Sequence, residues 1–227
     1  MSDDSFFREV EEELRSDRIQ GFWERYKYII ISAAVLIVLA TAGYRFWEYY
    51  SRSLAADSGD AFIAAVELSN DGQHEEAIAA LNELVEQGSG EYPALAKIRL
   101  AAEYAKNGDS ASGVEAFDAI ANDAGFDQTL RNVARLRAGL LLVDNGTYDE
   151  VRDRLEQMAG DTGAFRHSAR EGLGLSAWKH GELEDSHRWF TAIMEDGESP
   201  QGVRQRAAMM LELLAGRGIN GPQSETG

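Results

Sequence analysis

The 227 residues carry 39 Asp and Glu against 22 Lys and Arg, a net charge of −17, and include no Cys. Without thiols there is no disulfide framework and no thiolate metal site, and the acidity, 30 acidic against 16 basic side chains over residues 51–227, makes nucleic acid a poor partner. Pro is scarce while Ala, Leu and Glu are abundant, which favours helix throughout.

Residues 1–27 are expected to form a cytoplasmic tail. Phe6, Phe7, Val10 and Leu14 fall at helical spacing, with Ser5 as cap, and predict a short amphipathic helix. That stripe has no core of its own to bury, so it either frays in water or meets a partner at the membrane.

Residues 28–50 are the expected transmembrane anchor. From Tyr28 to Tyr44 there are seventeen residues without a formal charge, set between Lys27 and Arg45. As a helix they would cover roughly 26 Å, enough to cross a bilayer core if Arg45 snorkels. Aromatic side chains stand at both ends, Trp23, Tyr26 and Tyr28 before and Phe46, Trp47, Tyr49 and Tyr50 after, where amphipathic rings prefer the headgroup region. Five basic residues precede the span (Arg8, Arg15, Arg18, Arg25, Lys27) and two follow it closely (Arg45, Arg52), so the N-terminus stays cytoplasmic. The remainder then faces the periplasm in a bacterium with two membranes. The alternative is a cleaved signal peptide, with Ala40-Thr41-Ala42 as the small-residue site, against which stands an n-region that is long and rich in acid.

Residues 51–215 show an internal repeat. Ser51 to Gly59 reads as a helix continuation or a polar linker. Beyond it, turn signals containing Gly72, Gly108, Gly146 and Gly181 are separated by 36, 38 and 35 residues. Each is preceded by a long helical pattern (61–70, 93–106, 128–144, 165–179) and followed by a shorter one (75–86, 111–122, 148–158, 183–194). Helix, tight turn, helix at this period is the signature of stacked helical hairpins. Seven residues before each glycine lies a small residue, Ala65, Ala101, Gly139 or Gly174. Nine after it comes a large one, Leu81, Phe117, Leu155 or Phe190, and twelve after it another, Leu84, Ile120, Met158 or Ile193. The large side chains should bury against the small positions and against the next hairpin. A further helix over 202–214 would cap the array, and residues 216–227 are polar and Gly-rich, a disordered tail by composition.

These positions resemble a tetratricopeptide repeat. Ala101, Tyr104, Gly108, Gly113 and Phe117 fit its pattern of small, aromatic, glycine, small and large residues, and Gly174, Ala177, Gly181, Ser186 and Phe190 fit it again. The chain departs from the pattern at Val151, where a small residue is usual, at the large residues twelve after each glycine, and in lacking the closing Pro. The resemblance implies an all-α fold, a right-handed α-solenoid of about four degenerate hairpins behind an N-terminal transmembrane helix. It also implies an inner groove lined by Phe62, Val66, Ile98, Ala102, Leu136, Leu140, Leu175 and Trp178. Repeats that clamp a terminal carboxylate carry Lys and Asn there, whereas these apolar residues fit hydrophobic, extended or helical segments. The competing reading of the same eight residues is plain core.

Sites of chemistry are not legible. Gly172-Leu173-Gly174 formally begins a dinucleotide fingerprint, but lies inside a helical run instead of a strand-to-helix loop. His180, Glu182, Glu184, Asp185 and His187 include metal-ligand types and read as solvated turn residues. Acidic pairs such as Glu75-Glu76 and Asp149-Glu150 open the second helices, where the helix N-terminus favours negative charge. The expectation is a non-enzyme without cofactor, metal or small-molecule substrate. Tail, single anchor and repeat array, with the juxtamembrane residues Phe7-Arg8-Glu9-Val10, Leu14-Arg15 and Trp23, resemble the ancillary subunit family of the SecYEG translocon. That resemblance implies a single-pass protein of the bacterial inner membrane, docked beside the translocon. It would pass secreted chains to periplasmic chaperones, a membrane-anchored prolyl isomerase among them. The alternative is a scaffold for envelope assembly or cell division, released as a soluble periplasmic protein if cleavage occurs.

Overall fold

The computed structural model describes residues 3–219, and the side chains of residues 25–219 apart from Ile30. The packing of Phe6, Phe7, Val10, Leu14 and Trp23, and most of the predicted disordered tail, lie outside the described residues. Among those described the chain is all helix: α1 (Asp3–Asn70), α2 (His74–Gln87), α3 (Tyr92–Lys106), α4 (Ser110–Asn122), α5 (Gln128–Asn145), α6 (Tyr148–Leu155) with a 3-10 turn (Glu156–Met158), α7 (Arg166–His180), α8 (Leu183–Glu195) and α9 (Gln201–Gly216). Two compact units are present, residues 1–54 and 55–227. The polar stretch from Ser51 to Gly59 is helix, not linker, and α1 is already helical at Asp3, ahead of the expected cap at Ser5.

In the first unit, α1 exposes its apolar surface on every side. Leu36, Ile37, Val38 and Leu39 are all largely exposed, as are Tyr44, Phe46, Trp47 and Tyr49. Thr41 and Glu48 find their partners within the helix. The Thr41 hydroxyl donates to the Ile37 carbonyl at 2.7 Å, and Glu48 accepts from Arg52 at 2.6 Å and Arg45 at 3.4 Å. Among the described residues one helix, near the N-terminus, is long and apolar enough to cross a membrane.

The second unit is a series of hairpins: the end of α1 with α2, α3 with α4, α5 with α6, and α7 with α8. Its core is divided the same way. Leu81 and Leu84 of the first hairpin share a cluster with Ala96 and Leu100 of α3. Phe117 and Ile120 of the second share one with Ala134 and Ala138 of α5. The third hairpin packs on Ala169, Leu173 and Ala177 of α7, and the fourth on Ala207 and Leu214 of α9. Every hairpin therefore completes its core with the first helix of its successor, the nearest-neighbour logic of a solenoid.

The corners show the repeat at backbone level. At Gly72, Gly108 and Gly181 φ is between 78° and 85°, a left-handed conformation natural to glycine. In each, the glycine N–H donates to the carbonyl three residues back and the next N–H to that four before the glycine. Gly218, at the end of α9, repeats both bonds with φ 86°, so α9 ends as the first helix of a fifth hairpin would. The third corner differs. Gly146 is extended (φ −113°, ψ −174°), because Thr147 and Glu150 form a reciprocal capping box that starts α6 directly.

Candidate protein-binding face

Close approach of the two helices in a hairpin is set by the small residues. A Cβ added to Gly139 would stand 2.5 Å from Leu155 Cδ2, and one added to Gly174 2.8 Å from Phe190 Cζ. Ala65 and Ala101, at the equivalent places, are fully buried. The position five after each corner glycine, Ala77, Gly113, Val151 and Ser186, is buried too, and the Ser186 hydroxyl donates to the Gly174 carbonyl at 2.9 Å. At Val151 the departure from the usual small residue is accommodated within the third cluster.

With positions seven and four before each glycine turned toward the second helix, those six, nine and thirteen before it fall on the opposite side of the first helix. The eight residues expected to line a groove divide between core and surface. Leu136 is buried in the third cluster. Phe62 packs on the first cluster and on Tyr92 (centroids 6.2 Å apart), Ile98 and Ala102 pack on the second, and Trp178 packs on the fourth beneath the Arg217 guanidinium at 4.2 Å. Val66 is half-buried. Leu140 and Leu175, each six residues before its glycine, are exposed at 37%. Leu140 lies against α7, since a Cβ at Gly172 would stand 3.0 Å from its Cδ2. Sequence reasoning missed Ile63 and Met209, both more than half exposed and nine residues before Gly72 and Gly218. Counting back from the glycine corners would have found Ile63.

Polar groups between hairpins are tied at the repeat period. Glu103 of α3 is fully buried, accepts from the Ser69 hydroxyl at 2.7 Å, contacts His74 Nδ1 at 2.6 Å, and has Arg99 and Lys106 at 3.4 and 3.6 Å. Burial pushes its carboxyl up, but the bonds from Ser69 and His74 and the charges of Lys106 and Arg99 outweigh this and hold it below the ordinary value. Arg154 of α6 grips Asp118 of α4 at 2.6 Å, and the Tyr148 hydroxyl donates to Asp185 at 2.8 Å while accepting from Trp189 Nε1 at 3.1 Å. Burial is the largest of the influences that raise the Tyr148 phenol above its usual range. Arg170, almost fully buried, joins the Ala159 carbonyl, the Ala192 carbonyl, Asp161 and Asp196.

These contacts account for residues that carried a chemical reading in the sequence. His180 Nδ1 meets the Ser176 carbonyl at 2.8 Å, Asp185 is held by Tyr148, and Gly172 and Gly174 are interior to α7. The arrangement offers ordered apolar and charged surface on rigid helices, suited to holding another polypeptide.

A family model described as a tetratricopeptide repeat-like domain matches residues 20–216, from ahead of the apolar stretch to the last residue of α9. No curated protein and no solved structure matches. Repeats of this kind are typically non-catalytic scaffolds for protein–protein interaction. The chain belongs to the tetratricopeptide repeat-like domain family.

Proposed function

We propose that α1 anchors this chain in the bacterial inner membrane, N-terminus in the cytoplasm, and that the repeat unit works in the periplasm. There it receives secreted chains beside the SecYEG translocon and passes them to chaperones. The observation that carries the reading is the all-round apolar exposure of α1 between Tyr28 and Tyr50. Burying a Leu or Ile side chain is worth about 1.5–3 kcal/mol, so a run of them left in water is strongly unfavourable and lipid is the natural solvent. The family match supports a retained anchor, because it runs unbroken through this stretch into the repeats. The excess of Lys and Arg before the span supports the orientation. Leu140 and Leu175, exposed on neighbouring first helices, supply apolar contacts for an unfolded or helical segment.

The experiment is photocrosslinking in native membranes from residues 140 and 175. Adducts with translocon subunits, nascent secreted chains or periplasmic chaperones are the expected result. Adducts restricted to peptidoglycan-synthesis or division proteins would replace this function by the scaffold alternative.

A further inference from the structure

From α2 to α8 the helices of the repeat unit sort by charge, whereas the end of α1 from Ala55 holds three acids and no base. The first helices α3, α5 and α7 hold nine Lys and Arg against three acids, whereas the second helices α2, α4, α6 and α8 hold three against twelve. On a chain of net charge −17, α3, α5 and α7 thus reverse the overall sign.

Partners decide which of these cations are available. Arg166 and Arg170 are engaged by Asp196, and Arg99 and Lys106 surround the buried Glu103. Arg137 and Lys179 are exposed. Lys179 reaches the carbonyls of Val143 and Asp144 at the end of α5, and no ion pair to either cation is found among the described residues. Arg137 lies nine residues before Gly146 and Leu140 six before, and Leu175 lies six before Gly181 and Lys179 two before. On an α-helix these four project from the same side, away from the second helices, with the cations bordering the exposed leucines. Asp144 and Glu212 are acids at comparable positions on α5 and α9.

We infer that this face takes an amphipathic protein segment whose polar positions are Asp and Glu, its apolar side chains meeting Leu140 and Leu175 and its carboxylates meeting Arg137 and Lys179. The inference rests on the face being the partner site proposed above, and adds the chemistry of its occupant. Charge complementarity selects that occupant. A basic segment would meet like charge at Arg137 and Lys179 and be drawn instead to the acidic second helices.

The test uses the full-length protein in nanodiscs of zwitterionic lipid and three fluorescent peptides with the same leucine spacing, whose polar positions are all Glu, all Gln or all Lys. Fluorescence anisotropy should show the Glu peptide binding about tenfold more tightly than the Gln peptide at about 0.05 M salt, with the advantage lost near about 0.5 M. Arg137→Gln combined with Lys179→Gln, where the glutamine amide can still donate to the carbonyls at the end of α5, should bring the Glu peptide down to the affinity of the Gln peptide while the circular dichroism spectrum stays helical. Equal binding of the Glu and Gln peptides, or tightest binding of the Lys peptide, overturns the acidic preference while leaving a partner site in place. Binding of none of the three removes the partner site itself. Self-association in sedimentation velocity that disappears in the double variant would give the face to a second copy and also overturn the inference.

Discussion

Phe190 lies directly beneath Gly174, so close that a Cβ on the glycine would stand 2.8 Å from the ring. One turn of the array earlier, Leu155 meets Gly139 in the same way. Glycine inside a helix ordinarily costs about 1 kcal/mol relative to alanine. Here the missing methyl is what lets the second helix approach, and the contact outweighs the propensity. Gly174→Ala and Gly139→Ala should each destabilise the repeat unit by about 1–3 kcal/mol, read as a lowered thermal midpoint. Gly202→Ala, near the start of α9 with only Arg206 within 4 Å, should be neutral or slightly stabilising.

The corners give a second comparison. Gly181 has φ 84° and open space around it, while Gly146 is extended and its Cβ would meet Leu142. Asparagine tolerates the left-handed region better than alanine does. Gly181→Asn should therefore be less destabilising than Gly181→Ala, by up to about 1 kcal/mol, whereas at Gly146 asparagine should be no better than alanine. Urea unfolding of the four variants decides this.

Acid sensitivity should trace to Glu103. Its folded-state pKa lies below the ordinary 4.5, so ionisation contributes stability that is complete above that pH and is lost as pH falls toward the lowered value. Glu103→Gln should cost about 2 kcal/mol at neutral pH and flatten the loss of stability below pH about 4.5. The check is the thermal midpoint against pH for both proteins.

Surface and core leucines should separate function from stability. Leu140→Ser and Leu175→Ser, at sites 37% exposed, should each cost about 1 kcal/mol and weaken partner crosslinking. Leu173→Ala, at a fully buried site, should cost about 2–5 kcal/mol. Undiminished crosslinking in the Leu140→Ser, Leu175→Ser double variant would remove these residues from the partner site.

The hairpins were legible in the sequence because each level agreed. Apolar periodicity, glycine corners and the pairing of small with large residues all mark the same boundaries, and Gly174 with Phe190 is the clearest pair. Three things were not. The backbone of the third corner depends on the Thr147–Glu150 capping box, which the glycine spacing does not reveal. The burial of Leu136, and the partial burial of Ile98 and Ala102, depend on neighbouring helices, so helical spacing alone could not separate core from surface. Nothing in the sequence marks Glu103 as buried, because its partners Ser69 and His74 come from the preceding hairpin. The candidate face suffers most from this, because exposure is decided between hairpins and not within them.

The apolar part of α1 should stay in lipid and hold the repeat unit outside the cytosol. Protease treatment of intact spheroplasts expressing the full chain, with a tag at the N-terminus, tests it most directly. The repeat unit should be digested without detergent while the tag and anchor remain protected. A repeat unit that resists digestion until the spheroplasts are lysed would contradict it.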